Sequence, residues 1–98
     1  MKNKIKVMLG RSTETNAPVG IPAFYLIKPP ETKGAEPTKT LLISLDLPLD
    51  QASSEPEIFN RFISVWANYA RESGYEFDYD KELYKKTGKG WKVVRDGS

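Results

Sequence analysis

The chain contains no cysteine and no histidine. Without cysteine there are no disulfides, no thiolate nucleophile and no Cys-ligated metal. The same absence suits a reducing compartment, and a cytoplasmic location is expected. Without histidine, the side chain that naturally titrates between pH 5 and 8 is missing, and with it the commonest general base and zinc ligand. Serine, threonine, tyrosine, lysine and carboxylates remain, but they form no legible set of nucleophile, base and orienting group. No catalytic residue, metal ligand or cofactor is assigned, and the chain is read as a non-enzyme. Also missing is any run of about 18 apolar residues, so no membrane span is expected. "MKNKIKVML" starts basic but lacks the apolar stretch of a signal peptide.

What is present suits one domain. Of 98 residues, 39% are hydrophobic and 29% charged, which is neither a disordered nor a membrane composition. A single globular domain over residues 1–96 is expected. The net charge of +2 is unevenly spread. Residues 1–42 carry seven Lys/Arg and three Glu, residues 43–80 two Arg and eight Asp/Glu, and residues 81–98 six Lys/Arg and two acids. Two basic ends flank an acidic middle. Either the ends pair with the middle across the fold, or one basic face meets a polyanion.

Periodicity gives the element order. Residues 4–9 alternate, with Ile5, Val7 and Leu9 on one face. "GRSTETNAPVG" (10–20) reads as a polar loop, and "GRST" lacks the spacing and lysine of a phosphate-binding loop. "IPAFYLIK" (21–28) reads as a second strand, with Pro22 marking an edge or an entry position. Residues 29–39, with three prolines and no apolar anchor beyond Ala35, form a long loop that is expected to be flexible. In residues 38–49, Leu41, Ile43, Leu45 and Leu47 share one face and Leu42, Ser44 and Asp46 the other, until Pro48 ends the strand.

The stretch 53–74 is the helix. Ser54 and Glu57 have capping-box spacing and Pro56 falls in the first turn. Val65, Ile58, Tyr69, Phe62, Trp66, Phe59, Ala70 and Ile63 fill an arc of roughly 160°, and Gly74 stops the helix. Trp66 is expected in the core. Residues 75–80 alternate as a strand, 81–86 fit a helical turn or a continuing strand, and 91–94 form the last strand. The expected architecture is a two-layer α+β domain, one amphipathic helix on a mainly antiparallel four- or five-stranded sheet, in the order β-β-β-α-β-β.

Three surfaces carry binding potential. Glu76, Asp78 and Asp80 share strand parity, but a solvated face paired with lysines accounts for them better than a metal site. Lys85, Lys86, Lys89, Lys92 and Arg95 cluster with Trp91, the mixture a nucleic-acid binder uses; lysine also blunts an exposed sheet edge. The loop residues Glu31 and Lys33, the strand residue Leu42, and Asn60, Ser64 and Asn68 on the mild outer face of the helix form the candidate protein-binding surface. The expectation is a small non-catalytic binding protein whose partner is another protein. Nucleic-acid binding through the C-terminal hairpin is the alternative. A homodimer is compatible with both, because one helix hardly covers two sheet faces.

Overall fold

The computed structural model describes residues 5–13 and 20–94. Six strands and two helices follow in the order β1 (Lys6–Ser12), β2 (Ile21–Lys28), β3 (Thr38–Ser44), α1 (Leu49–Ala52), α2 (Pro56–Ser73), β4 (Glu76–Tyr79), β5 (Tyr84–Thr87) and β6 (Gly90–Val93). The fold is α+β, as the periodicity predicts. The strands divide into a four-stranded sheet of order β3-β2-β1-β4 and a separate β5-β6 hairpin. The main sheet is mixed. β1 pairs antiparallel with β2, β2 antiparallel with β3, and β1 parallel with β4. The parallel pair arises because α2 carries the chain across the sheet from the β3 edge to the β4 edge, and a parallel neighbour needs such a crossover.

Val7 and Leu9 of β1 lie opposite Leu26 and Phe24 of β2 and beside Phe77 and Tyr79 of β4. Alternation puts all six on one face, and α2 covers it with Phe59, Ile63 and Ala70. Phe24 is fully buried, with its ring 5.2 Å from Phe62 and 6.1 Å from Phe77. Each large apolar side chain enclosed here contributes about 1.5–3 kcal/mol.

Of the two positions its sequence allows, Pro22 takes the strand entry, since β2 lies inside the sheet, and its carbonyl accepts from the Leu45 N–H at 2.9 Å. Three expectations change. Of the face read as Leu41, Ile43, Leu45 and Leu47, the last two pack against the core but Leu41 and Ile43 are exposed, whereas Leu42 packs against the core. The cause is a register shift between Phe24 and Tyr25: their partners are Ile43 and Leu41, so Leu42 is the extra residue of a bulge. The strand also stops at Ser44, and Leu49 begins α1 instead. Finally, the Ser54–Glu57 capping box does not form. α2 starts after Glu55 without a side-chain cap, because Ser54 lies in the turn that follows α1 and its hydroxyl donates back to the Gln51 carbonyl at 2.9 Å. The C-terminal stop is as expected: Gly74 has φ 78°, and the Gly74 and Tyr75 N–H groups donate to Arg71 and Ala70.

Segment 81–86 combines both readings. Asp80 closes a turn, accepting the Glu82 N–H on its side chain and the Leu83 and Tyr84 N–H groups on its carbonyl, and β5 follows.

Candidate functional site

The C-terminal hairpin is anchored to the domain through side chains on its inner face. Tyr84 is buried and its hydroxyl donates to the Gly10 carbonyl at 2.5 Å. Burial, and then the Asp80 charge, push its phenol well above the ordinary tyrosine value. Trp91 is buried too, edge-on to Tyr79 at 4.7 Å and to Phe77 at 5.8 Å. Asn60 of α2 brackets the Trp91 backbone: its Oδ1 accepts the Trp91 N–H at 2.6 Å, and its Nδ2 donates to the Trp91 carbonyl at 3.2 Å and to Pro56 at 2.8 Å. Gly90, with φ 122°, permits this approach, since a Cβ there would collide with the Asn60 amide.

The basic residues of the hairpin diverge. Lys86 shares the inner face and sits over the Trp91 ring, 5.4 Å from its centroid. Lys85 and Lys92 are directly opposite each other on the outer face, both exposed, with Lys89 at the turn. Among the described residues none of these three is ion-paired. Arg95 lies outside the described residues. The Trp91 ring is enclosed by the core, so it offers this outer face nothing to stack on.

The acidic strand sorts itself differently. Asp78 is ion-paired with Lys6 at 3.5 Å and Lys81 at 3.3 Å. A hydrogen bond from the Tyr79 N–H, partly opposed by desolvation and helped by Lys81 and Lys6, holds its carboxyl below the usual range. Asp80 is committed to its turn. Among the described residues no group of acids is arranged to hold a metal.

Of the proposed protein-binding residues, Glu31, Lys33, Ser64 and Asn68 are exposed, and Asn68 accepts from Arg71 at 2.7 Å. Two do not belong to an outer surface. Leu42 is drawn into the core by the bulge, and Asn60 is half-buried as the hairpin bracket.

A feature the sequence pattern hides lies on the flank of α2 facing β3. The apolar arc of the helix is wider than the stripe the sheet can cover. Ile58, Val65 and Tyr69 stay 50%, 54% and 36% exposed. Between this flank and the chain leaving β3 runs an open groove of about 490 Å³, lined by Leu45, Ile58, Phe62, Val65 and Trp66, with Glu57 and Arg61 on its rim. Two of its lining rings also touch the core, Phe62 lying 5.2 Å and Trp66 6.4 Å from the buried Phe24 ring. β3 beside it is the terminal strand of the sheet. Trp66 therefore straddles core and groove. The signal in the sequence was the width of the arc itself, since one sheet face buries little more than a third of a helix circumference.

No protein-family model, curated protein or solved structure matches the chain.

Proposed function

We propose that this protein is a non-catalytic binding protein that works through protein–protein contacts, as an adaptor, an accessory subunit or an inhibitor. The observation that supports this is the apolar groove between α2 and the chain leaving β3. Large side chains left half exposed on one contiguous flank mark interaction surfaces far more often than scattered single ones do. Aromatic residues inside such a patch, with charges only at its rim, match the composition of binding hot spots. The cytoplasm is the compartment this reading assigns, in keeping with the cysteine-free sequence.

A photo-crosslinking amino acid placed at position 58 tests it in extract of the native host. Adducts from position 58 that vanish on Val65→Glu are the expected result. A folded Val65→Glu protein that gives the same adducts overturns the reading.

A second reading has one observation in its favour. Lys85 and Lys92 face each other across the hairpin with no carboxylate partner among the described residues, and directly opposed like charges are destabilising. A phosphate-bearing polymer would relieve them. Fluorescence anisotropy with labelled single-stranded and duplex nucleic acid, at ~50 and ~200 mM salt, decides it. Steeply salt-dependent binding that Lys85→Ala and Lys92→Ala weaken supports the hairpin. No binding at low salt removes it.

A further inference from the structure

The exposed flank of α2 has a repeat of its own. Ile58, Phe62, Val65 and Tyr69 are spaced four, three and four residues apart. At 3.6 residues per turn they fall within an arc of roughly 60°. This is the spacing of the apolar seam by which two helices pack along each other. Three of the four are substantially exposed, and Phe62 is partly buried against Phe24.

We infer that the occupant of this seam is a second copy of the chain, with α2 packed antiparallel on α2 about a two-fold axis between Phe62 and Val65. The inference rests on the groove being a docking surface and names its partner. The seam is self-complementary in size. The antiparallel arrangement sets Ile58 against the partner's Tyr69 and Phe62 against the partner's Val65, pairing larger with smaller side chains at each level. It is self-complementary in charge as well. Arg61 and Glu72 flank the seam on the same side, both exposed, and among the described residues neither is ion-paired.

In an antiparallel pair, residues on one flank of a helix meet the same flank of its mate. Helical side chains lean toward their own N-terminus. Arg61 therefore leans toward the partner's Glu72 and Glu72 toward the partner's Arg61. A two-fold interface requires this self-complementarity, because one patch must serve as both halves. A parallel arrangement would set Tyr69 against Tyr69, and would leave Arg61 and the partner's Glu72 about three turns apart on opposite flanks, so it gains neither match.

Charge reversal in the full-length chain tests the arrangement without disturbing the core. Sedimentation velocity over a concentration series should show a reversible dimer for the native sequence. Arg61→Glu and Glu72→Arg should each weaken self-association at least about tenfold, since an i-to-partner ion pair becomes a repulsion at two symmetric places. Mixing the two variants should restore a dimer, seen by native mass spectrometry as the heterodimer alone, because both crossed contacts are then attractive. Rescue on mixing separates a true contact from a folding defect. A native chain that stays monomeric at every concentration overturns the inference, as do single variants that dimerise normally or a mixture that does not recover. If the chain is monomeric while position 58 still crosslinks to a different protein, the second copy is excluded and the groove remains a docking surface. If neither occurs, both fail.

Discussion

The two flanks of α2 carry the same kinds of side chain and meet opposite fates. Phe59, Ile63 and Ala70 are buried against the sheet, while Ile58, Val65 and Tyr69, one helical step around, stay open. Hydrophobicity does not distinguish Ile63 from Ile58. What differs is the opposing surface. The sheet ends at β3, whose bulge draws Leu42 inward, and among the described residues no element covers the second flank. The hairpin side of the helix teaches the converse. There a polar residue, Asn60, is drawn inward because the Trp91 backbone needs both a donor and an acceptor.

Substitutions on the two flanks should therefore separate widely in chemical denaturation. Phe59→Ala should cost about 3–5 kcal/mol, through lost transfer energy and an unfilled cavity beside Tyr84. Asn60→Ala should cost about 1–3 kcal/mol by leaving the Trp91 N–H unsatisfied. It should also loosen the hairpin selectively, seen as faster amide exchange of β5 and β6.

Tyr84→Phe should cost about 1 kcal/mol for its hydrogen bond to Gly10. It also carries a pH signature. The folded-state pKa of Tyr84 is raised, so its contribution is fully present below the unfolded value of about 10 and is lost as pH rises above it. The native protein should lose stability above that pH, and the Phe variant should lose less. An equal alkaline decline in both would show that Tyr84 is not the group responsible.

At the small end, Val65→Ala should change stability by no more than about 0.5 kcal/mol while weakening partner binding. A cost near that of Phe59→Ala would show that the flank is not open at all. Lys92→Ala should stabilise slightly, by a few tenths of a kcal/mol, because it removes an opposed like charge.

Much of the fold is legible in the sequence. The alternation of Val7 and Leu9, the helical period from Phe59 to Ala70 and the stop at Gly74 each follow from local geometry, and each appears where its residues place it. The candidate site is less legible. Leu42 had the parity of the outer face and lost it to a bulge, because one extra residue reverses every side chain beyond it. Ser54 and Glu57 had the right spacing for a cap, but the turn after a four-residue helix had already claimed Ser54. Trp91, set among lysines, fits a stacking platform or a core cover equally well by sequence. Its ring packs into the core against Phe77 and Tyr79 of β4, an apolar wall supplied by the other sheet.

The chemical exclusions were settled by sequence alone: with no thiol and no imidazole, those chemistries cannot occur in any fold of this chain. So was the α+β alternation of elements, which depends on periods of two and 3.6 residues within single segments. Which apolar side chains are enclosed was decided only in three dimensions. Burial depends on what lies opposite, and here the sheet has fewer strands than the helix has apolar face. Ile58, Val65 and Tyr69 thus share a flank that local pattern cannot tell from core and that the tertiary structure leaves open.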